Sequence, residues 1–181
     1  MASREIMRQL LCYVLLSGLV LVGVASVQAV LNDDDSRRPA SSDADYAAGL
    51  AAFERSDWQE VIERMTTVVQ RRPWDDNAYN LLGYAYRKLG NYRRAVTYYQ
   101  QALDLNPHHR GALEYLGEAY VEMGCMAQAQ DLLARLATAC TRLTGSTSAG
   151  EAMPRCAEWQ ELRGAIDTAR QQGAAGCWLD Q

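Results

Sequence analysis

Glu114, Glu118 and Glu122 stand four residues apart, which puts three carboxylates on one helical face. Like charges at that spacing repel, so they call for cations on a neighbouring element or on a ligand. Glu114 and Glu118 lie on one helix without a supporting base or metal set, so they do not read as catalytic carboxylates. His108 and His109 follow Pro107 in a turn, and adjacent histidines on a loop can bind metal. Their nearest carboxylates, Asp104 and Glu114, fall on separate helices and complete no ligand set. Both histidines are therefore expected to be solvated turn residues. The chain carries no nucleophile motif and no phosphate loop. No enzyme, no cofactor and no metal is expected, because a function must be argued from a site.

The cysteines are the other reactive group. Cys12 lies inside an N-terminal pattern that reads as a secretory signal. Arg4 and Arg8 precede an uncharged, largely apolar run from Leu10 to Val27, and Val27-x-Ala29 offers small residues before a cleavage after Ala29. An uncleaved membrane anchor made by residues 10–27 is the alternative, since the run is near the length of a span. Cys125, Cys140, Cys156 and Cys177 remain, an even number suited to an oxidising compartment; four buried thiols are the bland alternative. Four cysteines allow three pairings. Cys125 and Cys140 open and close one helix and would lie about 22 Å apart, against the roughly 7 Å limit for a disulfide. Cys156 and Cys177 flank the last helix and are similarly separated. A last helix antiparallel to its predecessor leaves Cys140 with Cys156 and Cys125 with Cys177. Without a C-x-x-C or a basic setting, no redox-active thiol is expected.

The elements that position these groups repeat. Gly49 precedes Gly83 by 34 residues, and Pro73 precedes Pro107 by the same interval. In the middle unit the pattern reads Tyr79-x2-Leu82-Gly83-x2-Tyr86, Ala95-x3-Tyr99, Pro107. Small residues at 83 and 95 admit close helix approach, large ones fill the space around them, and Pro107 stops the second helix. Leu113, Leu116, Gly117, Tyr120, Gly124 and Ala129 hold the same offsets one unit later. Ser56-Asp57 makes a turn and caps the helix carrying Trp58, Val61, Ile62, Met65 and Val68. Residues 143–155 break the period, and Trp159, Leu162, Ile166 and Ala169 form the stripe of a final helix. The expected organisation is a signal peptide or anchor at 1–29 and a flexible linker at 30–42. Three helix-pair units follow at about 43–75, 76–109 and 110–142, then a loop at 143–155, and a capping helix and tail at 156–181. Net charge is −4 and Lys88 is the only lysine, so no broad nucleic-acid footprint is present.

This pattern closely resembles the tetratricopeptide repeat (TPR). The resemblance implies an all-α fold: a right-handed superhelical stack of three TPR helix pairs closed by a C-terminal capping helix. The segment 105–118, with Cys140, Cys156 and the stretch Glu158 to Ile166, is similar to exported bacterial TPR proteins, which implies a non-enzymatic envelope protein. In such repeats the first helix of each pair lines a concave groove. The positions that point inward are here Asp43, Tyr46, Leu50 and Phe53 with Glu54, then Asn77, Asn80, Tyr84, Arg87 and Lys88, then Glu114, Glu118, Val121 and Glu122. Arg87 and Lys88 could answer the three glutamates as surface ion pairs. The same residues make a groove with an aromatic and an acidic end, suited to a peptide with basic and apolar residues. The family's clamp for C-terminal carboxylates wants polar or basic groups where Tyr46, Leu50, Gly111 and Tyr115 stand, so that ligand class is not expected. The expected function is a protein- or peptide-binding scaffold or adaptor in the bacterial envelope, in the periplasm. The alternative is an assembly chaperone for an exported enzyme or cytochrome. No nucleic acid partner is expected, and a membrane only through an uncleaved N-terminus.

Overall fold

The computed structural model describes residues 43–144, 156–173 and 176–177. All belong to the second of the two units into which the chain divides, Ala40–Gln181. The expected leader, its cleavage after Ala29, the linker and most of the 143–155 loop lie outside the described residues. Among those described, the chain forms seven α-helices and no strand: α1 (Ala44–Glu54), α2 (Trp58–Arg71), α3 (Asp76–Lys88), α4 (Tyr92–Leu105), α5 (Arg110–Glu122), α6 (Met126–Thr144) and α7 (Ala157–Gln171). None of these is long and apolar enough to cross a membrane.

Local chemistry starts and stops the helices at the repeat interval. Asp43, Asp57, Asp75 and Asn91 each accept a backbone N–H through the side chain at the start of α1 to α4. The turns inside the three pairs pass through the left-handed region at equivalent places: Ser56 at φ 58°, Gly90 at 74° and Gly124 at 75°. Glycine adopts that conformation without penalty, whereas Ser56 carries a Cβ into it.

The core runs as one ribbon between the two helix layers. Val61, Met65 and Val68 of α2, Ala95, Tyr99 and Ala102 of α4, and Ala129 and Leu136 of α6 are completely buried. Close approach depends on small residues: a side chain at Gly83 would stand 2.6 Å from the Tyr99 ring, and one at Gly117 would stand 2.5 Å from Leu162. Leu162 and Ile166 of α7 are fully buried, so the last helix seals the open edge of α5 and α6.

Two disulfides tie that seal. Cys125, at the start of α6, is bonded to Cys177 beyond α7, and Cys140 to Cys156 just before α7. Their half-cystines are buried or half-buried. Protein lacking residues 1–29, made in an oxidising compartment and unfolded without reductant, is expected to titrate no thiol, and four after reduction. Four thiols before reduction would exclude both bridges.

Candidate functional site

Among the odd-numbered helices α3 packs against α5 and α5 against α7, α1 reaches α3 through Phe53, and this face carries most of the residues singled out by position. At one end is an aromatic ledge. Phe53 of α1 lies 4.9 Å from Tyr84 of α3, and Tyr84 lies 4.9 Å from Tyr115 of α5. Trp58, which begins α2, closes against Phe53 and Tyr84 at 5.5 and 5.6 Å. Edge-to-face and tilted rings of this kind contribute about 0.5–1.5 kcal/mol per pair beyond their burial. Tyr46 stands apart from this ledge: its ring is covered by Arg72 at 5.6 Å, and Arg72 is held by Asp43 and Asp75. Leu50 remains 41% exposed on α1.

Arg87 joins the aromatic and acidic ends. Its guanidinium lies 5.3 Å from the Tyr84 ring centre and 5.7 Å from that of Tyr115. Its Nη1 donates to Glu118 at 2.5 Å and approaches Glu122 at 3.5 Å. Only 5% of the side chain is exposed, so this is a buried cation held by two carboxylates and two π faces. Lys88 differs from expectation: instead of answering the glutamates, its ammonium sits 5.2 Å over the Tyr84 ring. Among the described residues one cation thus serves Glu118 and Glu122, and none is paired with Glu114.

Glu114 departs furthest from the sequence-based expectation. It is almost completely buried, and it meets a carboxylate that position counting did not supply. Carboxylate oxygens of Glu114, Glu118 and Glu161 of α7 all come within 4.8 Å of one another. The pair Glu114 and Glu118 therefore does have a third acidic neighbour. Burial first, then the hydrogen bond to Glu161 and the charges of Glu118, Glu161 and Glu158, push the Glu114 carboxyl up to about 8. At neutral pH this group holds a proton and shares it with Glu161, which removes the repulsion that the spacing implies. Tyr115 is pushed up to about 12, by burial and then by Glu114.

Asn77 and Asn80 occupy different surroundings although they are one turn apart. Asn77 Oδ1 lies 3.2 Å from His109 Nε2. Asn80 is buried, and among the described residues its Oδ1 has no hydrogen-bond partner. The histidine expectation also needs correction. His108 is exposed, but His109 is half-buried and caps α5: its Nδ1 accepts from the Ala112 N–H at 3.1 Å. That bond fixes the tautomer with the proton on Nε2, which donates to Asn77. A turn-plus-proline reading could not foresee this, because histidine is an uncommon cap. Burial lowers the His109 pKa, with the Asp76 charge opposing. The unfolded chain then binds more protons in the acidic range, so stability falls as pH drops through the folded His109 pKa. His109→Ala is expected to cost about 1 kcal/mol at pH 8 in denaturant melts. That difference should shrink towards pH 5; a difference independent of pH would exclude the cap.

With this geometry in place, comparison with known proteins is informative. A family model described as "Tetratricopeptide repeat" matches residues 77–109. "Uncharacterized protein ycf37" of Pyropia yezoensis is 36% identical over 62 residues, covering 34% of this chain and 35% of that protein. The matched part thus spans about a third of that relative. Among solved structures, the yeast Sti1 domain in "TPR2B-domain:pHsp70-complex of yeast Sti1" superposes with a TM-score of 0.60 at 22% identity, covering 71% of this chain and 94% of that one. The domain in "First TPR of Spaghetti (RPAP3) bound to HSP90 peptide SRMEEVD" superposes with a TM-score of 0.56 at 17% identity, covering 70% and 88%. At these identities the likeness is one of fold.

Proposed function

Because this chain is a tetratricopeptide-repeat protein built as an all-α solenoid, we propose that it is a non-enzymatic scaffold or adaptor. It binds a peptide segment of another protein across the face of α1, α3, α5 and α7. The observation that carries this reading is the two-part surface: an aromatic ledge of Phe53, Tyr84 and Tyr115 running through Arg87 into the carboxylates of α5 and α7. Aromatic ledges offer large contact area at low entropy loss, and the carboxylates select for charge. The fold neighbours solved with Hsp70 and Hsp90 peptides support peptide recognition as the mode. The peptide bound by one of them, SRMEEVD, carries three acidic residues against one arginine; the present face carries Glu114, Glu118, Glu122 and Glu161 and disfavours such a ligand. The signal-like N-terminus and the two disulfides support a place in the bacterial cell envelope, in an oxidising compartment.

The test is photo-crosslinking in the producing cell from Leu50, exposed on α1 at the repeat position that Tyr84 fills in α3. One dominant captured protein is expected, and it should be lost when Lys88→Glu is combined with Glu122→Lys, both at exposed positions. A spread of abundant proteins indifferent to that change would sink the reading.

A further inference from the structure

The second and third repeats treat one equivalent place differently. In the second, Tyr98 of α4 stacks on Tyr86 of α3, with ring centres 5.3 Å apart and planes at 7°, and Tyr79 stacks on Tyr98 at 6.4 Å. Arg94 lies 5.3 Å over the same Tyr86 ring and donates to its hydroxyl at 3.1 Å. Tyr86 is buried under these groups. One repeat later Tyr120 of α5 holds the position of Tyr86, but Leu132 stands where Tyr98 does and Gln128 where Arg94 does. Among the described residues no ring and no cation lies on Tyr120, which stays half-buried. The shorter side chains leave an open cleft of about 270 Å³ between α4, α5 and α6, lined by Tyr120 and floored by the buried Leu103, Leu116 and Leu132. Leu116 and Tyr120 stand on the side of α5 opposite Glu114 and Glu118, so the cleft is separate from the face described above. Its mouth is charged: Asp104 on α4 and Asp131 and Arg135 on α6 line it, are exposed, and enter no ion pair among the described residues. Two carboxylates against one guanidinium make the rim net negative.

We propose that this cleft receives one tyrosine side chain of a partner protein, flanked in the partner by a basic residue. The second repeat supplies the template. The incoming ring lies against Tyr120 as Tyr98 lies against Tyr86, and its basic neighbour meets Asp104 and Asp131. Ring pairs of this kind favour association beyond the area they bury. Tyrosine fits better than phenylalanine, because Gln100 and Gln128 bring amide donors and acceptors to the same cleft and a sunken phenol needs a partner for its hydroxyl. At about 270 Å³ the cleft is smaller than the roughly 300–1,000 Å³ of sites for drug-sized ligands, and it suits a single side chain. The negative rim steers and orients the partner more than it adds affinity. This site does not depend on the face of α1, α3, α5 and α7, so either can fail without the other.

The probes are three end-capped tripeptides, Arg-Tyr-Arg, Arg-Leu-Arg and Glu-Tyr-Glu, titrated at low salt into the full chain with labelled leucine methyl groups and followed by NMR. The first is expected to shift the signals of Leu103, Leu116 and Leu132, and to bind about two- to tenfold more tightly than either of the others. Two variants, each first checked by melting, then move the ring. Tyr120→Leu removes the platform and should abolish the preference for tyrosine over leucine. Leu132→Tyr combined with Gln128→Arg rebuilds the arrangement of the second repeat inside the chain, and should exclude the peptide. No binding, shifts confined to other leucines, or equal binding of the tyrosine and leucine peptides overturns the proposal. So does a tyrosine preference undiminished in a folded variant. The native chain alone decides the first three outcomes, so a variant that fails to fold leaves the test intact.

Discussion

Replacing Tyr99 by alanine is expected to lower the unfolding free energy by about 3–5 kcal/mol, whereas Tyr99→Phe should leave it unchanged or raise it. The ring of Tyr99 is completely buried on α4, against Gly83 of α3 and 6.5 Å from Tyr115 of α5. It fills the seam where the second and third repeats meet. Its removal opens a cavity between backbones that Gly83 has brought close, and rigid helices collapse poorly into such a space. The hydroxyl is a different matter. Among the described residues it has no hydrogen-bond partner, and burial holds its pKa well above the ordinary value. Deleting an unpaired buried hydroxyl removes a desolvation penalty of about 1–3 kcal/mol and leaves the ring in place. Urea melts followed by helix content, with disulfides intact, separate the two substitutions. A phenylalanine variant weaker than wild type by more than about 1.5 kcal/mol would mean the hydroxyl is hydrogen-bonded in solution.

Glu114→Gln should be nearly neutral at pH 4 and strongly stabilising at pH 9. The native carboxyl titrates near 8, against 4.5 as its ordinary value. Between those values the native state keeps a proton that the unfolded chain has released. The unfolded state then binds fewer protons, so wild-type stability falls as pH rises through this window, by at most about 1.4 kcal/mol per pH unit. Below the window both states are protonated and no penalty exists; above it the full penalty is reached, roughly 3–5 kcal/mol. Glutamine keeps the shape and the hydrogen bond to Glu161 and does not titrate. The difference between the two proteins should therefore grow steadily from pH 5 to pH 9 in denaturant titrations. A flat difference would show that Glu114 is ionised with an ordinary pKa and that the α5–α7 contact does not depend on a shared proton. His109 acts in the opposite direction and at lower pH, so the two titrations are separable.

Much of this molecule was legible before any coordinates. The interval of 34 residues, the large and small residues at fixed offsets and the Asp57 cap of α2 are local properties. Each acts through neighbours a few residues away or one repeat away, so counting along the chain finds them. The same logic explains why Arg87 could be matched with Glu118 and Glu122, since adjacent repeats superpose equivalent positions at a constant offset. The disulfide pairing was argued from helix length together with an antiparallel last helix.

Three features were not legible, and two of them depend on contact across the break in the period. Glu161 reaches Glu114 because α7 packs as the closing helix, but residues 143–155 destroy the numbering that would have aligned it. The burial of Glu114, and hence its proton, is decided by that same packing and not by its spacing from Glu118. Lys88 lies over Tyr84 rather than on a carboxylate, while Arg87 holds Glu118 and Glu122. Spacing along the chain thus determined the helices, their pairing and the residues offered to the shared face. Which of those residues are charged, buried or left without a partner was decided only by the tertiary structure, because desolvation and proton sharing depend on what packs opposite.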